Sequence, residues 1–179
     1  GEPAVFRDYR IVSVSINPFQ YDPIARELRI VKSIDVDLIC EGLGGKNIKT
    51  TNHKLSRAFE PMYKNVIMNY NDVAERDEEF QQPCYLFIHS DNGSVATYLS
   101  YLTDWKKRKG FEVHTASTAE AGNTETEVKA YIQDAYDTWG NPPEYICLVG
   151  DDSGNLGVPP GSSGYGGSDH PYTQLEGGD

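Results

Sequence analysis

Residues 84–149 carry apolar side chains in two alternating rhythms, and that alternation restricts the fold more than any other feature of the chain. Cys84-Tyr-Leu-Phe-Ile88 is an unbroken apolar run, the pattern of a strand buried on both faces. Val95, Tyr98, Leu99, Leu102 and Trp105 then recur at helical spacing and predict one buried helix face. That helix ends in Lys106-Lys107-Arg108-Lys109 and Gly110, with cations at the negative end of its dipole. Phe111–Thr115 predicts a second strand. Thr124 and Glu127 have capping-box spacing. Val128, Tyr131, Ile132, Ala135, Tyr136 and Trp139 mark the buried face of a second helix, which Gly140 closes. Tyr145–Val149 predicts a third strand. Strand, helix, strand, helix, strand with short connections predicts an α/β fold with a parallel sheet and right-handed crossovers.

The glycine-rich stretch 150–168, with seven glycines, begins at the carboxyl end of the third strand. Open parallel sheets place their ligands along that edge. Three strands make half of a usual α/β domain, so the ending at Asp179 looks like a truncation.

Residues 1–83 follow a different pattern. Val12, Val14 and Ile16 alternate with Ser13 and Ser15 over Arg10–Ile16, and Ile34, Val36, Leu38 and Cys40 alternate with Asp35 and Asp37. Leu28–Val31 is a further short strand, and Asn17-Pro18 and Tyr21-Asp22-Pro23 are turn signals. Two or three strands do not stand alone in water, so this β-unit belongs to a larger β-domain or packs on the second unit. Ser56–Tyr70 carries apolar residues consistent with a helical turn or two, and 71–82 reads as an exposed acidic linker. The expected division is 1–45, a β-rich unit; 46–83, connector and linker; and 84–179, an α/β half-domain.

Charge narrows the function classes. The 179 residues hold 16 Lys+Arg against 27 Asp+Glu, a net −11. Residues 81–179 hold 5 basic and 14 acidic side chains. Nucleic acid and anionic membrane surfaces are thereby disfavoured as partners. No stretch approaches the length of a membrane span. The glycine-rich loop lacks the spacings that cradle phosphate, and no Lys or Arg follows Lys129, which disfavours a nucleotide-binding module of flavodoxin type. Cys84 and Cys147 fall inside apolar strand runs, where cysteine is usually inert, and Cys40 ends a β-unit strand. His53, His89, His114 and His170 show no metal or dyad spacing with them or with one another. Asp151, Asp152, Asp169, Glu176 and Asp179 crowd the glycine-rich end and suit a hard cation such as calcium; the plainer reading is turn caps and solvated charge.

Several segments together resemble one family. Trp105-Lys-Lys-Arg-Lys-Gly-Phe-Glu-Val113, Pro143-Glu-Tyr-Ile-Cys-Leu-Val-Gly-Asp151 and Ser168-Asp-His-Pro-Tyr172 with Glu176-Gly-Gly-Asp179 resemble the start of the catalytic domain of the gingipain family of cysteine peptidases. Arg10-Ile-Val-Ser-Val-Ser-Ile-Asn-Pro-Phe-Gln-Tyr-Asp-Pro23 and Glu27-Leu-Arg-Ile-Val31 resemble the end of its propeptide, and Phe59-Glu-Pro-Met-Tyr63 the approach to the catalytic domain. The resemblance implies a caspase-like parallel sheet of flavodoxin-like order, preceded by a small β-unit from a prodomain. It implies peptide-bond hydrolysis by a His/Cys dyad lying beyond Asp179. None of the four histidines or three cysteines here aligns with that dyad, so the fragment is expected to be inactive. It further implies a structural calcium, with a ligand at Asp151, a main-chain carbonyl at Glu176, a carboxylate at Asp179 and others past the end of this chain. The parent is expected to be a secreted or cell-surface zymogen acting on protein or peptide substrates, with Arg76 as the processing site. Expected partners are the rest of its own catalytic domain and prodomain, and a dimer through the exposed sheet edge. The competing expectation is a non-catalytic homologue serving as a surface binding or assembly module.

Overall fold

The computed structural model describes residues 1–39, 44–51, 53–73 and 79–177. Its centre is a three-stranded parallel sheet of β5 (Cys84–His89), β6 (Glu112–Ser117) and β7 (Tyr145–Val149), in the order β6-β5-β7. Cys84 pairs with Glu112, and Leu86 sits between His114 and Ile146. The first strand in the centre, with its successors on either side, is the flavodoxin-like order, and the two right-handed crossovers therefore lie on opposite faces. α3 (Gly93–Arg108) links β5 to β6; α4 (Thr118–Ala121) and α5 (Glu125–Thr138) link β6 to β7.

Alternation along β5 separates the two faces. Leu86 and Ile88 point to the α5 face and join Ala116, Ala121, Val128, Ile132, Ala135, Val158 and Tyr172 in one buried cluster, flanked by Ile146 and Leu148. Tyr85 points to the α3 face, where its ring stacks on Tyr145 at 4.7 Å and Lys106 lies 4.0 Å over it.

α5 starts as its sequence predicts. The Thr124 hydroxyl accepts from the Glu127 amide at 3.3 Å, and the Glu127 carboxylate accepts from the Thr124 amide at 3.1 Å. Its buried positions are Val128, Ile132, Ala135 and Tyr136. It ends at Trp139 in extended backbone, so Gly140 supplies no left-handed turn. Gly110 does supply one after α3, at φ +89°.

The α3 expectation needs correcting. Its buried residues are Leu99 and Thr103, whereas Tyr98, Leu102 and Trp105 are exposed. A helix on one face of a sheet buries a single stripe, and here that stripe runs through 95, 99, 103 and 106. The half-buried Lys106 and the small Thr103 disguise it.

The N-terminal half forms two antiparallel hairpins. β1 (Pro3–Phe6) pairs with β2 (Tyr9–Val12), and β3 (Phe19–Asp22) pairs with β4 (Glu27–Ile30). The predicted strand Arg10–Ile16 therefore stops at Val12, and Ile34–Ile39 forms no strand; Cys40 lies outside the described residues. Phe19 faces Ile30 and Tyr21 faces Leu28, so four exposed apolar side chains share one face of the second hairpin. The first hairpin packs on α1 (Glu60–Val66) and α2 (Tyr70–Val73). Tyr63 is its centre: Phe6 and Tyr9 meet its ring edge-on at 5.4 and 5.0 Å, and Tyr70 lies at 6.1 Å. The expected linker is also shorter than 71–82. α2 takes its first residues, and Phe80 and the buried Gln81 are paired to the connector.

The glycine-rich stretch holds a short hairpin, β8 (Gly161–Ser163) with β9 (Gly166–Ser168). Its start is tightly packed: a Cβ on Gly150 would sit 2.3 Å from the Leu156 carbonyl oxygen, so only glycine fits there. The chain then runs down α5. Glu125 accepts from the Ser162 amide at 2.8 Å, Lys129 donates to the Pro171 carbonyl at 2.7 Å, and Gln133 donates to the Leu175 carbonyl at 3.0 Å. Among the described residues no helix is long and apolar enough to cross a membrane.

Candidate functional site

The sheet has two edges with different chemistry. At the carboxyl edge stand His89 at the end of β5, Ser90 and Asp91 just after it, and Asp151 after β7. His89 is buried, and its Nδ1 lies 2.8 Å from the Ser90 carbonyl oxygen, so Nδ1 carries the proton. The Asp91 amide donates to the Thr118 hydroxyl at 3.0 Å. Beside them an open cleft of about 780 Å³ is lined by Asp91, Asn92, Ser94, Thr97, Tyr98 and Tyr101. No cysteine or histidine is among its lining residues.

Neither described cysteine is activated. Cys84 is fully buried, and burial, with the carboxylates of Glu112 and Glu144 nearby, pushes its thiol up to about 12. Burial also raises Cys147, against a lowering influence from Lys106. Thiolate is the nucleophile, so both groups sit in their unreactive form at neutral pH. His170 is exposed at the start of the last 3-10 turn, and the other two histidines are engaged elsewhere. His114 lies 2.8 Å from Glu112 and 4.4 Å from the Trp139 ring, and His53 meets Tyr136 edge-on at 4.8 Å. Burial lowers the His53 pKa, helped by Lys49.

The expected calcium residues are placed apart. Asp151 is exposed at the carboxyl end of β7, and its carboxylate accepts from the Asp152 amide at 2.8 Å. Glu176 has followed α5 toward the other edge, where its carboxylate accepts from the Thr50 amide at 3.2 Å and the Tyr136 hydroxyl at 3.4 Å. Asp179 and Arg76 lie outside the described residues. Among the described residues no three His, Cys, Asp or Glu side chains converge as metal ligands. Asp151 and Glu176 do not by themselves build a calcium site, which needs several oxygen ligands around one point.

The chemistry that sequence reasoning missed lies at the amino edge. The β1–β2 turn inserts Asp8, whose carboxylate accepts from the Tyr63 hydroxyl at 2.7 Å and the Ser56 amide at 3.0 Å. Arg7 lies 3.7 Å from Asp8 and 4.8 Å over the Phe59 ring. Glu144, one residue before β7, is buried beside this cluster; burial raises its pKa, partly offset by Ser56, Arg7 and Gln81. Burial and the Asp8 bond also raise Tyr63 well above the ordinary phenol range. An acid directly before a strand, behind Pro142-Pro143, was the only local signal for this cluster.

Comparisons with known proteins match both halves. Peptidase family C25 matches residues 78–179, and the C25 propeptide matches residues 1–85. Gingipain R2 of Porphyromonas gingivalis is 28% identical over 186 residues, covering 100% of this chain and 24% of that protein. Gingipain R1 of the same organism is 28% identical over 184 residues, covering 99% and 18%. Lys-gingipain is 28% identical over 151 residues, covering 81% and 9%. A solved chain described as "Structure of Protease" is 24% identical, covers 62% of this chain and 24% of its own, and superposes with a TM-score of 0.47. The chain thus spans about a quarter of the length of gingipain R2. With residues 78–179 matched as the peptidase and 1–85 as its propeptide, the chain belongs to peptidase family C25.

Proposed function

We propose that this chain is the propeptide tail and first catalytic subdomain of a gingipain-like cysteine endopeptidase zymogen that is secreted or held at the cell surface. The observation that carries it is the order of the two matches: a propeptide over 1–85 runs directly into a peptidase over 78–179. In this reading the domain boundaries follow 1–45, 46–83 and 84–179, and Arg76 is where maturation cuts. This reading gives the dyad to other residues of the parent: Cys84 and Cys147 are held as thiols, and among the described residues no histidine is hydrogen-bonded to either one. The chain by itself is then inactive. In the parent, thiolate attack on the peptide carbonyl is followed by proton donation from histidine to the leaving amine, with backbone amides holding the oxyanion. The three strands and their buried cluster supply a rigid platform for that chemistry.

Calcium belongs to this reading as a structural ion of the longer polypeptide. Asp151 would contribute an oxygen at the carboxyl edge, and the Glu176 carbonyl and Asp179 would join it where the longer polypeptide carries the 176–179 segment back to that edge. Millimolar calcium should raise the melting temperature of the full-length protein and should not do so in its Asp151→Ala variant; an equal rise in both removes Asp151 from the site.

The decisive experiment labels the full-length gene product with a thiol-alkylating peptidyl probe and locates the label by mass spectrometry. Labelling of one cysteine other than Cys40, Cys84 and Cys147, with loss of peptide hydrolysis, is the expected result. No labelled cysteine and no hydrolysis after activation would favour a non-catalytic homologue that acts as a binding module. β6 and β7 each leave one edge unpaired among the described residues, and sedimentation velocity checks self-association through them.

A further inference from the structure

The solvent side of α3 carries a second apolar stripe. Tyr98, Tyr101, Leu102 and Trp105 follow at the spacing of one helix face, and all four are exposed, Tyr98 and Tyr101 by 75% and 72%. The first stripe, through Leu99 and Thr103, is already buried against the sheet. A helix resting on a sheet ordinarily gives its outer face to charged and polar residues. An exposed apolar row with a polar rim marks an interaction surface instead.

The two ends of that row have opposite chemistry. At the amino end, the open cleft is bounded by Asp91, Ser94, Thr97 and the rings of Tyr98 and Tyr101. The Asp91 amide is engaged by Thr118, but its carboxylate has no partner among the described residues. At the carboxyl end stand Lys106, Lys107, Arg108 and Lys109, four of the five basic residues in 81–179. Arg108 and Lys109 continue the row three and four residues beyond Trp105, and the Lys109 ammonium lies 4.0 Å over the Trp105 ring.

Read in the opposite direction, the row is therefore complementary to itself. The 16 residues of α3 span about 24 Å. Two copies laid antiparallel about a twofold axis between residues 101 and 102 set Tyr98 against Trp105 and Ser94 against Lys109, with Asp91 within a lysine's reach. The helix dipoles then meet amino end to carboxyl end.

We propose that the outer face of α3 is a self-association surface on which a second copy of the chain docks antiparallel, Asp91 of one copy meeting the partner's Lys109. A contact of this isologous kind closes at two copies and makes a dimer, not a filament. It uses neither open edge of the sheet, and it is independent of the peptidase reading. The net charge of −11 on each copy opposes approach at low salt. At about 0.15 M salt that repulsion is screened beyond about 8 Å, while the contact pairs act at shorter range.

The test follows the full-length gene product and the 179-residue chain by sedimentation velocity over a concentration series at about 0.15 M salt. Both should pass from monomer to dimer. Asp91→Lys and Lys109→Glu, each alone, place like charges in contact twice and should weaken association about tenfold or more. An equimolar mixture of the two variants restores both opposite pairs and should regain the parent's association. Tyr101→Ala should also weaken it, at an unchanged melting temperature, because that side chain is exposed. A monomer at every concentration overturns the proposal. So does a dimer that these variants leave unchanged, which gives the contact to an open sheet edge. Association of the 179-residue chain alone overturns it too, since another segment of the longer polypeptide then covers α3. A mixture that stays as weak as its components rules out the reciprocal pairing. Thiol labelling reads a different property, so failure there leaves this readout intact, and failure here leaves the zymogen reading intact.

Discussion

Glu144 is an acid held where ionisation is costly, since burial outweighs the help it receives from Arg7 and Ser56. Its folded pKa lies above the unfolded one, so the fold favours the protonated form. The stability it contributes is present below the ordinary carboxylate range of about 4.3 and is lost as pH rises through the folded value. Glu144→Gln mimics the protonated form at every pH. The variant should therefore melt above the parent at pH 8, and the gap should shrink toward pH 5. A gap that stays constant between those pH values would remove Glu144 as its source. Cys84 poses a separate test of the same physics. With its thiol pushed up to about 12 and no exposed surface, it should resist iodoacetamide in the folded chain and react only on unfolding. Peptide mapping that finds Cys84 alkylated under native conditions would contradict its placement. The sequence already showed Cys84 inside an apolar run, and its inertness was readable there. The Asp8 and Glu144 cluster was not readable, because its members stand far apart in the chain and only folding brings them together.

At the scale of the element, α3 carries a lesson in periodicity. The apolar residues at 98, 102 and 105 do share a helix face, but that face looks to solvent, and Leu99 and Thr103 look to the sheet. Leu99→Ala should cost about 2–5 kcal/mol, the range for buried large-to-small changes. Tyr98→Ala, at 75% exposure, should stay within about 0.5 kcal/mol of the parent. Urea titration of both variants decides between the stripes, and equal losses would restore the face expected from spacing alone. α5 is the contrary case. Its capping box and its buried positions were legible because a cap is a local hydrogen-bond exchange and the apolar stripe faces a full core. The β-unit lies between the two. The second hairpin's β4 was legible within a residue, but β1 and β3 were not, since four-residue strands carry too few alternations to stand out.

For the whole molecule, a junction at the amino edge packs the two sequence units together, with Phe59 on Tyr145 at 6.4 Å and His53 against Tyr136 at 4.8 Å. Tyr63 is its keystone, almost fully buried and touched by Phe6, Tyr9, Phe59 and Tyr70. Thermal unfolding followed by tryptophan fluorescence, which reports the sheet unit, and by near-ultraviolet circular dichroism, which also reports the tyrosine nest, should coincide in the parent. Tyr63→Ala should cost about 3–5 kcal/mol at the junction, as large aromatic deletions do, and separate the two transitions. Coincident transitions in the variant would mean that the units are coupled by other contacts. By itself the sequence determines the α/β class, the three strands, the capping box of α5 and the family, because these rest on local periodicity, local hydrogen bonding and linear motifs. Only the tertiary structure decides which stripe of α3 is buried, that Asp151 and Glu176 part toward opposite edges, and that Asp8, Tyr63 and Glu144 meet beneath the sheet. Those are long-range outcomes of how the layers pack, and residues far apart in the chain carry no local trace of one another.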